Sequence, residues 1–361
     1  MRRALELAAR ADHATSPNPM VGAIVVDRSG EFAGEGYHAR AGDPHAERLA
    51  LDRAGVRARA GTLYVSLEPC THQGRTPPCV DAVIAAGIAR VVVAMEDPDH
   101  RVAGAGLKAL RDAGVTVQLG VEGEAARRLN RFYVKHRTTG LPWVTARFGA
   151  SLDGKIATAT GDSRWITSEA ARVESHRLRQ QHDVILAGAG TVVADDPELT
   201  NRLPQAARQP LRVVLDSTLR IPAGAKVLAG QESAPTLVLT TQRASKEAIA
   251  ALRKTGAEVV KVAVGEEQRV DIPEALRLLG DRGLLSVLIE GGGEVTGAFF
   301  DAGKVDGVVA FLAPIIIGGQ AAPGAVGGRG AQSLKAAHRL TNLEVRDVGG
   351  DIVVSGECSR G

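Results

Sequence analysis

The strands that this chain can form have no wet side. Val91-Val92-Val93 sits inside an aliphatic run at 88–94, and the runs at 21–27 and 285–289 are built the same way, without the polar alternation of a half-exposed strand. A strand buried on both faces needs helices above and below it, which means mostly parallel pairing in an α/β architecture. Helical periodicity fills the intervals: 5–11, 46–54, 79–87 and 107–112 alternate with strands at 21–27, 62–66, 88–94 and 115–117. The alternation breaks at Thr138-Thr139-Gly140-Leu141-Pro142, after a charged helix or connector over 127–137, and then restarts. Beyond the break the spacing predicts strands at 143–148, 183–187, 211–215, 236–240, 258–262, 285–289 and 305–312. Helices are predicted at 168–181, 246–254, 272–279 and 294–302. At 361 residues the chain exceeds one ordinary domain, and the break divides it into 1–142 and 143–361.

Composition excludes several uses. Lys and Arg outnumber Asp and Glu by 44 to 41, a net charge of +3, which is too weak for a nucleic-acid footprint. Aromatic residues at 3% offer no stacking platform for single strands. Three cysteines make no disulfide framework. No apolar run reaches the ~18 residues of a membrane span. The opening Met1-Arg2-Arg3 is basic like a signal peptide, but Glu6 and Arg10 interrupt the apolar core that a signal peptide needs, so the segment reads as an amphipathic first helix. These features predict a cytoplasmic protein in a reducing compartment, where two nearby cysteines serve a metal better than a disulfide.

His45-Ala46-Glu47 opens a predicted helix, Pro69-Cys70 follows a strand, and Cys79 leads the next helix. One imidazole and two thiolates leave the fourth position of a tetrahedral zinc open to water, the arrangement of a catalytic rather than a closed structural ion. Glu47, two residues from the histidine, is placed to carry a proton from that water to a ring nitrogen and the leaving amine. The H-x-E…P-C pattern is the signature of zinc deaminases acting on pyrimidine- or purine-like rings. Taken singly, His45 reads as a surface histidine, and the cysteines as buried thiols or half of a closed zinc site. The full set favours the catalytic ion. Eight residues separate Cys70 from Cys79, more than that signature has, and this loop carries His72, a weaker rival ligand, and Arg75 for contact with a charged or polar substrate. Asn18, between Pro17 and Pro19, either offers its amide to the ring's polar edge or is an ordinary turn residue. Cys358 reads as a plain structural or surface thiol.

Three glycine patterns compete as nucleotide loops. Gly104-x-Gly106-x-x-Ala109 lies far beyond the preceding strand, and no acidic residue closes the unit, so it reads as a helix start with no cofactor. Gly188-x-Gly190 lacks the third small residue. Glu290-Gly291-Gly292-Gly293 directly follows an apolar strand and opens a helix, where unpaired N–H donors and absent side chains receive a phosphate, although such turns are often merely tight.

Asn18-Pro19-x-Val21-Gly22, His45-Ala46-Glu47 and Leu67-Glu68-Pro69-Cys70-x-x-x-Gly74-Arg75-Thr76-Pro77-Pro78-Cys79 closely resemble the deaminase half of the bacterial bifunctional riboflavin-biosynthesis deaminase/reductases. The second half resembles the matching reductase through Ser151-Leu152-Asp153-Gly154-Lys155, Gly161-Asp162-Ser163-Arg164-Trp165-Ile166-Thr167-Ser168, Gly190-Thr191-x-x-x-Asp195-Asp196-Pro197-x-Leu199-Thr200-x-Arg202 and Glu290-Gly291-Gly292-Gly293. The resemblance covers nearly the whole chain, in the family's order. Pro98-Asp99-His100 departs from it, because relatives often carry Asn in this loop.

The resemblance implies a cytidine-deaminase-like three-layer α/β/α domain followed by a dihydrofolate-reductase-like α/β domain. It implies Zn2+ on His45, Cys70 and Cys79, with Glu47 catalytic. It implies NADPH, bound without the Rossmann fingerprint and lined by Gly149, Trp165, Thr191, Asp195, Ser217, Gly292, Gly293, Glu294, Val295, Thr296, Gly297 and Ala298. Ser163, Arg179, Leu199, Arg202 and Glu290 would hold the substrate, with two arginines gripping a sugar phosphate and Lys155 as a further polar candidate. The implied reactions are deamination of 2,5-diamino-6-(5-phosphoribosylamino)pyrimidin-4(3H)-one and then reduction of the ribosyl side chain to ribityl. The implied partners are small-molecule phosphoribosylaminopyrimidines, with no nucleic acid and no membrane, and the implied assembly is a homo-oligomer, dimer or tetramer. Two rivals use the same zinc set: a nucleic-acid or free-nucleoside deaminase fused to an unrelated reductase, and a zinc-stabilised binding module fused to a lone dehydrogenase.

Overall fold

The computed structural model describes residues 1–71, 78–100, 102–204 and 208–359. It divides into two units, Met1–Gly140 and Leu141–Gly361. The first contains α1 (Arg2–Ala9), β1 (Gly22–Val26), β2 (Phe32–Tyr37), α2 (Ala46–Ala54), β3 (Thr62–Val65), α3 (Cys79–Ala85), β4 (Arg90–Val93), α4 (Ala105–Asp112), β5 (Thr116–Leu119), α5 (Gly123–Leu129) and α6 (Arg131–Thr139). Its sheet runs β2-β1-β3-β4-β5, with β1 antiparallel to both neighbours and β3, β4 and β5 parallel. Alternate strand residues feed two cores. Val25, Leu63, Val91 and Val93 pack on Ala50 and Leu51 of α2, Val80 and Val83 of α3, and Leu107 and Leu110 of α4. On the other face Ile24 meets Ala4 and Leu7 of α1, while Leu67 and Ala94 meet Ala126 of α5 and Val134 of α6. The aliphatic runs are therefore buried on both sides, as their missing polar alternation requires.

The second unit adds β6 (Trp143–Ser151), α7 (Glu169–Gln181), β7 (Val184–Gly188), α8 (Ala189–Asp195), β8 (Leu211–Leu215), β9 (Thr236–Thr240), α9 (Lys246–Arg253), β10 (Glu258–Lys261), α10 (Ile272–Asp281), β11 (Ser286–Ile289), α11 (Gly293–Asp301), β12 (Gly307–Ala313), β13 (Arg339–Val348) and β14 (Asp351–Ser359). The nine strands run β10-β9-β8-β7-β11-β6-β12-β14-β13. All are parallel except the last two, which form an antiparallel hairpin on β12. Val184 and Leu186 of β7 face α10 and α11, and Ile185 and Ala187 face α8 and α9. Ser168 caps α7 by accepting the Ala171 N–H at 3.2 Å, and Asp271 caps α10 by accepting the Glu274 N–H at 2.7 Å.

Four elements lie outside the sequence expectation. The C-terminal strands β13 and β14 flank a Gly349-Gly350 turn at positive φ, a hairpin signal in its own right. α8 is a short helix directly after β7, in an interval to which the sequence spacing assigns no element. β2 is weak in strand-forming residues because Gly34 and Gly36 serve another purpose: α2 lies directly on them. A Cβ at Gly36 would fall 2.5 Å from the Leu49 Cβ and 2.6 Å from the Ala46 carbonyl oxygen. Gly36→Ala is expected to destabilise the first unit by about 1–3 kcal/mol through overpacking, and to weaken zinc retention, because the same helix opens with His45 and Glu47. Thermal unfolding and metal titration of the variant check both effects.

Candidate active sites

His45 is the N-cap of α2, with an extended backbone at φ −69° and ψ 155°. Cys70 follows β3 by a short turn, and Cys79 is the first residue of α3. The two cysteine segments are tied together, because the Cys79 N–H points at the Cys70 Sγ (3.4 Å) and the Val80 N–H donates to the Cys70 carbonyl (3.3 Å). The His45 Nδ1 lies 3.1 Å from the Cys79 Sγ and 3.6 Å from the Cys70 Sγ, and all three ligand atoms fall within 4.8 Å of one another. Tetrahedral zinc, with bonds of roughly 2.0 Å to nitrogen and 2.3 Å to sulfur, needs nitrogen–sulfur separations of about 3.5 Å. The donor set and its spacing therefore fit zinc with small adjustments. His72 and Arg75, and the Gly74-Arg75-Thr76-Pro77 stretch of the motif, lie outside the described residues.

The electrostatics suit a cation. The Cys79 thiol donates to Cys70 and, helped by His45, holds the Cys70 thiol well below its ordinary range against its burial; the same bond pushes Cys79 up. The pair thus shares one proton, which a divalent ion displaces. His45 is raised, chiefly by Cys70. Glu47 is only 3% exposed, and burial lifts its carboxyl to about 7. It lies against the Cys79 thiol.

His45, Glu47 and Cys70 open into a cavity of about 420 Å³, also lined by Asn18, His38, Asp97, Asp99, Tyr133 and Arg137. His38 was not foreseen. Its buried ring stands edge-on to His45 at 5.4 Å, its Nδ1 meets the Pro44 carbonyl at 3.2 Å, and its Nε2 has no hydrogen-bond partner among the described residues. On the far wall the Asp97 Oδ1 accepts from the Asp99 N–H at 2.9 Å and from the Tyr133 hydroxyl at 3.0 Å, and Arg137 pairs with Asp99 at 3.7 Å. The Gly104–Gly106 turn is filled from within. The Glu68 carboxylate accepts from the N–H groups of Gly104 (3.0 Å), Gly106 (2.8 Å) and Leu107 (3.2 Å), so no cofactor phosphate is received there.

The second unit has two adjoining cavities that share Ile156, Ser163, Thr191 and Asp195. The larger, about 740 Å³, is also lined by Ser217, Gly292, Gly293, Glu294, Val295 and Ala298. The Gly292 N–H donates to the Thr191 Oγ1 at 2.9 Å, and no side chain of its N-cap Gly292 caps the start of α11, an arrangement suited to receiving an anion. Thr296 and Gly297 do not line it. Thr296 is fully buried, and a Cβ on Gly297 would fall 2.2 Å from the Gly327 backbone.

The smaller cavity, about 610 Å³, collects Gly149, Ser163, Trp165, Arg179, Leu199, Arg202 and Glu290. Gly149 and Trp165 therefore line this cavity and not the larger one. Trp165 is 69% exposed, under the Arg172 guanidinium at 4.5 Å. Arg179 is engaged on all sides, with Nε and Nη2 on Glu290 at 2.8 and 2.6 Å and Nη1 on the Thr200 carbonyl at 2.7 Å. Burial alone would raise Glu290, but the charges of Arg179 and Arg147 hold it at about 2. Lys155 lines neither cavity and donates to the Ala322 carbonyl at 2.9 Å. Two wall residues were not foreseen. Arg147 donates to the Ser175 Oγ at 2.5 Å, lies 4.9 Å over the Phe311 ring, and has no hydrogen-bond partner for its buried Nε among the described residues. His176 is lowered to about 4, first by burial and then by Arg179 and Arg202.

Comparison with known proteins gives the same division. Residues 1–95 match the cytidine and deoxycytidylate deaminase zinc-binding region, and residues 142–354 match the RibD C-terminal domain. The chain is 45% identical over 352 residues to riboflavin biosynthesis protein RibD of Bacillus amyloliquefaciens, covering 98% of this chain and 94% of that one. It is 41% identical over 366 residues to the Escherichia coli protein of the same name, covering 98% and 96%. Among solved structures, Acinetobacter baumannii RibD superposes with a TM-score of 0.89 at 34% identity, covering 99% of this chain and 98% of that one. A Thermotoga maritima diaminohydroxyphosphoribosylaminopyrimidine deaminase/5-amino-6-(5-phosphoribosylamino)uracil reductase superposes at 0.84, also at 34% identity, covering 99% and 97%. With both halves matched in order and relatives aligned from end to end, the chain belongs to the RibD family, the bifunctional deaminase/reductases of riboflavin biosynthesis.

Proposed function

We propose that the two units act in turn on one intermediate, each with the residues its cavities collect. The first substrate is 2,5-diamino-6-(5-phosphoribosylamino)pyrimidin-4(3H)-one. His45, Cys70 and Cys79 would hold zinc, which would supply Lewis-acid activation of the attacking water. Glu47 takes one proton from the attacking water and gives it to the ring nitrogen, then takes the remaining proton of the new hydroxyl and gives it to the amino group, whose bond to carbon breaks as the carbonyl forms and ammonia leaves. Asn18 and His38 present an amide and an imidazole to the polar edge of the ring.

In the second unit NADPH supplies the hydride that converts the ribosyl side chain to ribityl. Thr191, Asp195, Ser217, Gly292, Gly293, Glu294, Val295 and Ala298 surround the cofactor, and the open start of α11 takes a phosphate. Ser163, Leu199, Arg202 and Glu290 hold the substrate, and Gly149 and Trp165 shape the boundary between the cavities. Arg179, already committed to Glu290, positions that carboxylate toward the ribose hydroxyls, so the phosphate grip falls to the more exposed Arg202. Orientation of two bound reactants is the main contribution of this site.

The proposal places the chain in the cytoplasm, acting on small molecules and not on nucleic acid or membrane. The net charge of +3 supports this, as does the finding that no helix among the described residues is long and apolar enough to cross a membrane. A homo-oligomer, dimer or tetramer, is supported by Leu343 and Val345, 57% and 61% exposed on the edge strand β13.

The observation that carries the reading is the convergence of three zinc donors beside a buried Glu47, at the wall of a cavity that His45, Cys70 and Glu47 line. The test is a coupled assay of the purified chain given the diaminopyrimidinone phosphate and NADPH. Ammonia should appear first, and loss of reduced nicotinamide should come after it in equal amount. NADPH loss without ammonia, or equal activity on an RNA substrate, would refute it.

A further inference from the structure

Glu68 is a buried acid that the proton transfer does not use. It is 3% exposed, and among the described residues its carboxylate meets no cation. Main-chain N–H groups take that place. The Oε2 accepts from Asp97 (3.1 Å) and Gly104 (3.0 Å), and the Oε1 from Gly106 (2.8 Å) and Leu107 (3.2 Å). The Glu68 N–H in turn donates to the Met95 carbonyl at 3.0 Å. Side chain and main chain of one residue thus hold the segment that leaves β4 and enters α4.

The Gly104-x-Gly106 pattern has its use here. Gly104 takes φ +79°, in the left-handed region that glycine enters without strain. A Cβ on Gly106 would fall 2.1 Å from the Pro69 carbonyl oxygen and 3.1 Å from the Glu68 Oε1. The start of α4 therefore lies directly on Glu68-Pro69, the peptide that leads into the zinc donor Cys70.

The held segment is also a wall of the first cavity, which Asp97, Asp99 and Val102 line together with Glu68. Asp97 gives its N–H to Glu68 and uses its carboxylate on the Asp99 N–H and the Tyr133 hydroxyl. Asp99 pairs with Arg137. Polar contacts thus run unbroken from the turn that carries Cys70, through Glu68, to the opposite wall. Bonds to a carboxylate are roughly twice as strong as neutral ones, so the wall is held stiffly. A glutamine of the same shape cannot reproduce the set, because its amide has one acceptor oxygen and turns an NH2 group toward two donors.

We infer that Glu68 is a positioning residue for deamination: it sets the wall of Asp97, Asp99 and Val102 relative to the Cys70 turn, and so fixes the width of the space that the substrate ring enters. The inference rests on the deaminase reading of this cavity. Glu68 acts through that wall, since both its oxygens are already occupied by the segment it holds.

The test compares wild type, E68Q, E68D and E68A in the ammonia-release assay, with zinc content and reduction of the deaminated product measured on the same preparations. E68Q should raise KM for the diaminopyrimidinone phosphate by about 10–100-fold and lower kcat by less than about fivefold, with zinc and reduction unchanged. E68D keeps the charge and should lose less. Acetate added to E68A should lower its KM, where chloride does not. A fall in kcat at unchanged KM would put Glu68 in the chemistry, loss of zinc or of the folded first unit would make it a prop for the fold, and unchanged kinetics would make it filling; each overturns the inference. A KM raised equally in E68D and indifferent to acetate overturns it too, because packing and not charge would then set the wall. A wild-type chain that releases no ammonia would instead refute the deaminase reading itself, a result separable from the others.

Discussion

Glu47→Gln should reduce ammonia release by ~10²–10⁴-fold while the chain keeps its bound zinc and still reduces the deaminated product. The substitution is nearly isosteric and removes only the group that takes up and gives back protons. Glu47 is buried against the Cys79 thiol, so its carboxyl belongs to the metal pocket and not to the surface of α2. The neutral amide fits the same buried space without stranding a charge, and it leaves His45, Cys70 and Cys79 untouched. A purely structural zinc predicts the opposite result, with ammonia release unaffected. Metal content and ammonia yield measured on the same preparation separate the two. Loss of zinc together with activity would show that Glu47 holds the site together, and would remove its assigned role as proton carrier.

How much of this could be read from the chain depends on what each residue needs in order to be recognised. The doubly buried strands announce themselves because no polar face interrupts Val91-Val92-Val93. The zinc donors do so because a histidine, a following Glu and two cysteines have few other uses in such an order. β2 does not, since Gly34 and Gly36 are there to admit α2 and weaken the strand pattern while doing so. His38, Arg147 and His176 are equally silent. Each is an ordinary polar residue in sequence, and only tertiary burial turns it into part of a wall. The glycine loop was legible as a whole and not in detail. Once 293–301 is helical, the 3.6-residue period puts Glu294, Val295 and Ala298 on the cavity side, buries Thr296 and packs Gly297 against Gly327. Arg179 shows the same limit from the other direction. Its type suggests a phosphate ligand, but its three bonds commit it to Glu290 and Thr200.

That commitment makes Arg179→Ala the most damaging single change expected in the second unit, at about 3–5 kcal/mol of stability. The pair is almost closed to solvent, with side-chain exposures of 13% and 7%. Removing the guanidinium leaves a buried carboxylate without its bidentate partner. Replacing both residues by methionine removes the charge as well as its partner, and should cost far less stability while still abolishing reduction. The pH dependence carries the same signature. In the folded chain Glu290 is held at about 2, below its ordinary 4.5, because the attraction of Arg179 outweighs the opposing effect of burial. A carboxylate depressed in this way contributes stability that is present above about pH 4.5 and is lost as the pH falls toward 2. In Arg179→Ala, burial is opposed only by the more distant Arg147 and by His176, the carboxyl moves up, and the acid-dependent loss over that window shrinks. Both tryptophans of the chain, Trp143 and Trp165, lie in this unit, so their fluorescence during urea unfolding at a series of pH values reports on it selectively. An Arg179→Ala chain as stable as wild type, with an unchanged pH profile, would mean that the ion pair does not organise this cavity.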